Sequence, residues 1–235
     1  MSEPDTSGRA LARLDEITRR LRVECPWDRE QDERSIVPHT VEEAYELADA
    51  ANRGDDRKLL DELGDVLFQV VFLSLLLEER GEGDFAAVAE HCREKLIRRH
   101  PHVFGEVEAE TAGEVLANWD AIKAGEEGRE RGIFGEVPEN LPGPLYARKL
   151  LRRAETAGRS WPDGGEDPLF MVKREAEALE RAAGHDERRF DAVGDVLFAA
   201  VAAARRLGVD PELALRSAAD RFRDEVQEED GPASE

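Results

Sequence analysis

Residues 40–77, TVEEAYELADAANRGDDRKLLDELGDVLFQVVFLSLLL, decide the fold of this chain. The pattern predicts two helices joined by a short turn at residues 53–56, with Thr40 as the N-cap of the first helix. The second helix is the most apolar element of the sequence, and its apolar residues leave almost no face for water. A helix that is apolar nearly all round is buried.

Acidic residues recur at helical spacing in both helices: Glu42, Glu43 and Glu46 in the first, Glu62 and Asp65 in the second. Residues three or four positions apart share one face of a helix. If the two helices pack antiparallel, the acidic pairs meet, and carboxylates that converge in one cleft repel each other unless a cation neutralises them. Oxygen ligands without His or Cys favour Mg²⁺. The sequence therefore predicts a magnesium site.

Two simpler interpretations compete with this site. Glu43 stands where a capping box with Thr40 would place its acid, and in an acidic chain any Glu-x-x-Glu pair can be a solvated helix face. Glu62, Asp65 and Gln69, however, form one polar stripe on the helix that we expect to be buried. Burying an unpaired charge costs several kcal/mol, so this stripe is expected to face a cation or a wet cleft.

The composition restricts the class of protein and its partners. Of the 235 residues 40% are hydrophobic and 37% are charged, which is typical of a helix-rich soluble protein. A net charge of −21 argues against duplex nucleic acid and anionic membranes, but not against a nucleotide whose phosphates meet a metal. Cys25 and Cys92 form neither a disulfide framework nor a zinc site. The N-terminus lacks an apolar signal core and residues 66–77 are too short to span a membrane, so we expect a cytoplasmic protein.

The second half of the chain repeats the first. The sequence GDVLF stands at residues 64–68 and again at 194–198, and EEAYELADA at 42–50 aligns with AEALERAAG at 176–184. Such a repeat predicts a duplicated structural unit. The expected organisation is a disordered tail (1–8), an N-terminal catalytic helical domain (9–126), a Gly-rich linker (127–143), a C-terminal degenerate helical domain (144–228) and a second tail (229–235).

The repeat keeps Glu177 and Glu180 opposite Glu43 and Glu46, but it loses other charged residues of the first half. Four positions change: Glu42 to Ala176, Glu62 to Ala192, Arg98 to Asp224 and Arg99 to Glu225. The apolar pattern survives while these groups are lost, which indicates that the carboxylates of the first half serve something other than the fold.

Further motifs accompany the acidic residues: CPWD at 25–28, GDVLFQVV at 64–71, RRHPHVF at 98–104, NW at 118–119, and LP at 141–142 with Lys149 and Trp161. Together with the Glu-Glu-x-x-Glu and Glu-x-x-Asp pairs, this set resembles the MazG family of nucleoside triphosphate pyrophosphohydrolases. The resemblance extends over nearly the whole chain. A lone Glu-x-x-Glu would be weak evidence, whereas this combination in this order is specific.

The resemblance implies an all-α fold of tandem MazG-like bundles, each of about four helices and completed by homodimerisation. It also implies hydrolysis of nucleoside triphosphates, ribose or deoxyribose, to the monophosphate and pyrophosphate, as house-cleaning of the nucleotide pool. Mg²⁺ is the expected cofactor and Mn²⁺ the alternative.

The resemblance assigns roles residue by residue. The metal ligands would be Glu43, Glu46, Glu62 and Asp65. The catalytic group would be Glu42, Glu46, Lys58 and Glu62, with Glu42 outside the ligands or helping to activate water. The substrate residues would be Lys58, Lys95, Arg98, Arg99, Trp119 and Lys123, the last two closing over the nucleotide.

Alternatives remain open at this point. The strongest is a non-catalytic helical dimer that binds nucleotides or a protein partner, which would explain the degraded second half but not the intact acidic pairs of the first. A di-iron carboxylate bundle requires Glu-x-x-His pairs, and the two acidic helices have none. The Pro-containing loop 24–31 carries Trp27, which either plugs a core or lines a pocket; we favour the plug slightly.

Overall fold

A computed structural model describes residues 6–126, 132–135, 137–138, 140–159, 161, 166–182 and 186–229. Within these residues the structure consists of α-helices without a strand, which confirms the all-α prediction. The helices are α1 (Thr6–Glu24), α2 (Pro26–Glu30), α3 (Glu33–Arg53), α4 (Asp56–Glu79), α5 (Phe85–Arg99), α6 (Pro101–Phe104), α7 (Ala112–Ala124), α8 (Gly143–Thr156), α9 (Pro168–Arg181), α10 (Asp186–Arg206) and α11 (Pro211–Glu229).

The chain divides into two compact units, unit 1 (Met1–Glu108) and unit 2 (Ala109–Glu235). In unit 1 the main contact is the hairpin of α3 and α4, and α1 and α5 pack against α4. Unit 2 repeats this plan, since α9 and α10 form its main contact, and α8 and α11 pack against α10. The duplication expected from the repeated sequence is therefore present in the packing.

The hairpin of unit 1 is closed by a two-residue turn. Gly54 ends α3 in the left-handed conformation with φ 68°, which a residue without Cβ adopts easily. Asp55 then caps α4, because its carboxylate accepts hydrogen bonds from the backbone amides of Arg57 and Lys58. This turn reverses the chain and brings the face of α3 that carries the glutamates against α4.

Each unit has its own core. Ile36, Phe72 and Leu76 are buried together between α3 and α4, with Phe68 and Leu73 against them. In unit 2 the core groups Leu151 of α8 with Val201 and Ala202 of α10. The indole of Trp161 packs edge-on against the ring of Phe198, with centroids 4.6 Å apart.

Helix α3 starts earlier than the sequence predicted. Asp32 is its N-cap and forms a capping box with Ser35, so Thr40 lies inside the helix and Glu43 has no capping role. The N-cap prediction for Thr40 is wrong because the helix continues through Pro38, at the loss of one backbone hydrogen bond.

Helix α4 is not buried all round, contrary to expectation. Leu60 is 74% exposed, and Leu63 and Val70 are also exposed. These exposed apolar residues lie in the first part of α4, whereas residues 71–77 are buried or half-buried on all sides. No helix in the described parts of the sequence is both long and apolar enough to cross a membrane.

The bounds of the helices and units differ from the domain organisation that the sequence predicted. Helix α1 already includes residues 6–8, assigned above to the tail, while residues 1–5 and 230–235 lie outside the described residues. Helix α7, assigned to the first domain, belongs to unit 2. Most of the expected linker 127–143 precedes α8, and its residues 127–131, 136 and 139 lie outside the described residues.

Candidate active site

Three carboxylates of the α3–α4 hairpin converge. Glu43 of α3 and Glu62 and Asp65 of α4 each offer an oxygen, and these oxygens lie within 4.8 Å of one another. Glu62 is buried, at 5% exposure, Glu43 is half-buried and Asp65 is exposed. The three side chains form a cluster, hereafter the acidic cluster, that is open to solvent on one side.

Glu46 lies on α3 one turn after Glu43 and is exposed. It is not part of the group of three, but it is close enough that its negative charge raises the pKa of both Glu43 and Glu62. Its role as a fourth ligand stays a prediction.

The electrostatics of the acidic cluster fit a cation. Burial is the main cause that raises the pKa of Glu43 above its ordinary value, followed by the charges of Asp65 and Glu46. The pKa of Glu62 is also raised, first by burial and then by Glu46, with Lys58 acting in the opposite direction. The fold therefore holds these carboxylates close together although their negative charges repel each other. A divalent cation would remove this penalty, and carboxylate oxygens are the ligands that Mg²⁺ prefers.

Lys58, one of the predicted basic residues, contacts the acidic cluster. Lys58 Nζ lies 3.7 Å from Glu62 Oε1, one helical turn away on α4. The other predicted substrate residues lie on two helices: Lys95, Arg98 and Arg99 on the last turns of α5, and Trp119 and Lys123 on α7 of unit 2. Arg99 is buried and Arg98 is exposed. The roles of these five residues stay predictions.

Sequence reasoning missed His39. Its Nδ1 lies 3.2 Å from Glu42 Oε2, and its ring meets the edge of Trp27 at a centroid distance of 5.9 Å. Trp27 is 51% exposed, so the interpretation of this residue as a core plug is wrong. The spacing of His39 and Glu42, three residues apart, could have indicated their contact, but the helix was expected to start only at Thr40.

Trp27 lies in the short helix α2, where the sequence predicted a loop, and Arg22 of α1 holds this helix. Arg22 Nη1 donates hydrogen bonds to the backbone oxygens of Asp28 (2.5 Å) and Gln31 (3.0 Å). The same guanidinium pairs with Glu79 at 2.8 Å and lies over the ring of Phe72. Trp27 and His39 are thereby fixed at the rim of the hairpin, beside Glu42.

The described residues of the second hairpin form no equivalent cluster. Glu177 and Glu180 of α9 and Asp195 of α10 are exposed, and Ala192 stands where α4 has Glu62. Among the described residues of unit 2, no group of three such carboxylates converges. Within the described part of the chain, the converging carboxylates therefore lie in unit 1.

Comparison with known families identifies the hairpin. Residues 31–104 match the model of the MazG nucleotide pyrophosphohydrolase domain. The matched segment contains α3, α4 and α5 and all the carboxylates named above.

Curated proteins similar to this chain extend the match. A nucleoside triphosphate pyrophosphohydrolase from Escherichia coli is 39% identical over 90% of this chain and 84% of its own length. A nucleoside triphosphate pyrophosphohydrolase/pyrophosphatase MazG from Thermotoga maritima is 39% identical over 84% of this chain and 76% of its length. A crystal structure of a mazG-related protein from Thermotoga maritima aligns with 48% of this chain and 97% of that chain, at 26% identity and a TM-score of 0.42.

Proposed function

The chain belongs to the MazG family of nucleoside triphosphate pyrophosphohydrolases, and we propose that it hydrolyses nucleoside triphosphates, ribose or deoxyribose, to the monophosphate and pyrophosphate. One water is consumed and the α–β phosphoanhydride bond is broken. The reaction would remove unwanted nucleotides from the cytoplasmic pool. The relatives named above support the reaction class.

The convergence of Glu43, Glu62 and Asp65 within 4.8 Å is the observation that carries this proposal. A helical hairpin gains nothing in stability from placing a buried glutamate beside two other carboxylates, since like charges at short distance destabilise each other. The second hairpin of the same chain has Ala192 at the position of Glu62. The acidic cluster is thus best explained as a binding site for Mg²⁺, with Mn²⁺ as the alternative.

Glu43, Glu62 and Asp65, together with Glu46, would hold the metal. When bound, the cation would draw charge from the triphosphate and orient its oxygens. Lys58, beside Glu62, can place a positive charge next to the phosphates, which stabilises the charge that develops on the departing pyrophosphate.

Glu42 is the proposed acceptor of the proton from the attacking water. It is exposed and stands outside the group of three, so its carboxylate can face solvent. His39 Nδ1, 3.2 Å away, can hold that carboxylate in place. Lys95, Arg98 and Arg99 are proposed to bind the phosphates, and Trp119 and Lys123 to cover the nucleotide.

We further propose that the protein is a homodimer. Leu60 and Leu63 of α4 are exposed, and so are Leu96 and Ile97 of α5, a helix that packs against α4. Exposed apolar patches on soluble proteins mark interaction sites. Replacing Leu60 and Leu63 together by Asp is expected to shift the molar mass measured by light scattering from that of a dimer to that of a monomer. Replacing exposed Val23 of α1 by Asp should leave the mass unchanged.

The test of the proposed reaction is product identity. The full chain is incubated with a mixture of nucleoside triphosphates and Mg²⁺, with or without chelator, and the products are separated by chromatography. Monophosphate and pyrophosphate are expected, and both should vanish with chelator. Diphosphate and orthophosphate would show that a different bond is cleaved. Absence of turnover with every base would instead favour the non-catalytic dimer.

A further inference from the structure

Unit 2 contains a cavity that lies outside the acidic cluster and has no role in the proposed reaction. Its volume is about 1060 Å³, and all of its lining residues belong to unit 2. The walls come from α7, from α8 and from the turn between α10 and α11 at residues 208–210. This volume is at the upper end of the range for small-molecule sites.

Two ion pairs lie at the border of this cavity. Arg148 of α8 pairs with Asp210, and Arg205 of α10 pairs with Glu155. Arg205 also donates to the backbone oxygen of Arg148. These four charges compensate each other, so they add nothing to the net charge of the cavity.

The other charged residues that line the cavity are Lys149, Arg152 and Asp120, which leave one positive charge without compensation. Lys149 has no carboxylate partner among the described residues. Arg152 Nη2 forms an ion pair with Asp120 Oδ1 at 3.8 Å, a distance too long for a hydrogen bond, and the buried Nε of Arg152 has no hydrogen-bond partner within the described part of the chain. Arg153, the next residue of α8, also has a buried Nε without a partner among those residues, but it does not line the cavity.

Lys149 and Arg152, three residues apart, share one face of α8 and both line the cavity. Their mutual repulsion is visible at Lys149, whose pKa is lowered first by burial and then by the charges of Arg152 and Arg153. A helix face with an unpaired lysine and an arginine whose Nε has no partner among the described residues is suited to an anion with several oxygens, such as a phosphate.

Asp120 contributes a buried hydrogen-bond acceptor to the cavity. It is 4% exposed and lines the cavity; Thr156 Oγ1 donates to its Oδ2 at 3.2 Å, while its buried Oδ1 accepts no hydrogen bond from the described residues. A buried carboxylate oxygen in this state can accept from a hydroxyl or amino group of a ligand. The rest of the wall is largely apolar, with Leu116 of α7 and Leu145 of α8.

We propose that this cavity binds an organic phosphate of nucleotide size. Lys149 and Arg152 would bind the phosphate, and Asp120 Oδ1 would accept a hydrogen bond from a hydroxyl of the sugar or an amino group of the base. The base would pack against the apolar wall. The cations, the single unpaired acceptor and the volume together distinguish this ligand from inorganic phosphate, which would leave the apolar wall and Asp120 unused.

The test is calorimetric titration of the full chain with adenosine, guanosine, cytidine and uridine monophosphates in turn, in the presence of chelator. Without metal the acidic cluster repels phosphates, so binding there is suppressed. Saturable binding of one monophosphate per chain is expected. Lys149→Ala should weaken it about 10-fold or more, since a charge-assisted hydrogen bond is lost. Inorganic phosphate should bind at least about 10-fold more weakly than the monophosphate.

Matched variants keep the result unambiguous. Lys173→Ala removes the same charge from an exposed position on α9 and should leave binding unchanged. Glu62→Gln alters the acidic cluster and should also leave it unchanged, which separates this site from product binding in unit 1. Arg152→Ala, compared with the wild type by circular dichroism to confirm folding, should weaken binding as Lys149→Ala does.

Three outcomes would overturn the inference: no saturable binding of any monophosphate, binding unaffected by Lys149→Ala, or binding abolished by Glu62→Gln. Equal affinity for inorganic phosphate would overturn the assignment of the apolar wall. Turnover of nucleoside triphosphates with Mg²⁺, measured on the Lys149→Ala variant, reports on the proposed function separately, because that function places no role on Lys149.

Discussion

The hairpin of α3 and α4 and the hairpin of α9 and α10 carry the same GDVLF sequence on their second helices and pack in the same way. They differ at the polar positions. Glu62 and Gln69, both buried in α4, correspond to Ala192 and Ala199 in α10. The second hairpin forms without these groups, so the fold does not require them. The first hairpin therefore buries two polar side chains that lower its stability, and such an arrangement is typical of functional sites.

The same comparison shows how the cores differ. Phe72 is fully buried in the first hairpin, and Ala202 is buried at the equivalent place in the second. A small residue lets helix α8, with Leu151, approach α10 closely in unit 2. The two units thus reach the same architecture with different distributions of side-chain volume.

The largest expected effect is on catalytic activity, which substitutions in the first hairpin should lower and substitutions in the second should not. Glu62→Ala should lower kcat/KM at least about 100-fold, because loss of residues that merely support metal ligands already costs 10–100-fold. Glu180→Ala, on the exposed face of α9, should change it by less than about 2-fold. Steady-state assays of pyrophosphate release measure both. Equal losses would contradict the assignment of catalysis to unit 1.

A smaller effect concerns the core. Phe72→Ala makes the first hairpin resemble the second at this position, but helix α4 cannot move to fill the space that a phenyl ring occupied. The expected loss of unfolding free energy is about 3–5 kcal/mol, read from urea denaturation of unit 1. Val23→Ala, at an exposed position on α1, serves as the control and should cost less than about 0.5 kcal/mol. A loss as small as that of the control would mean that the site can collapse.

The smallest expected effect is a pH dependence. In the metal-free folded protein the pKa values of Glu43 and Glu62 lie above the ordinary value of 4.5. The folded state therefore binds more protons than the unfolded state in the window just above 4.5, and its stability rises as the pH falls through that window. At higher pH the repulsion is present in full, and added Mg²⁺ relieves it.

The increase in Tm caused by Mg²⁺ should accordingly be larger at about pH 8 than at about pH 5. Scanning fluorimetry with Mg²⁺ or chelator measures this difference. Glu62→Gln should raise the Tm of the chelated protein by a few degrees and reduce the gain from Mg²⁺, whereas Glu180→Gln should change neither. A gain from Mg²⁺ that is independent of pH would show that the acidic cluster is not the site of binding.

Much of the site could be predicted from spacing alone. Glu43 with Glu46 and Glu62 with Asp65 share helix faces by periodicity, and the turn at Gly54 forces the two helices together. The contact between Lys58 and Glu62, four residues apart, follows from the same rule. His39 was missed because the start of α3 was placed at Thr40, whereas the competing cap at Asp32 extends the helix past Pro38.

The sequence by itself determined the all-α class, the duplicated hairpin and which half keeps its carboxylates, because these properties follow from periodicity and residue type within a helix. Only the tertiary structure decided that Glu62 is buried while Asp65 is exposed. It also decided that the ring of Trp27 packs edge-on against the ring of His39 and does not fill a core. It also decided that Lys149, Arg152 and Asp120 line one cavity. Burial and contact between helices depend on the packing of whole elements, and residues far apart in the chain meet only through that packing.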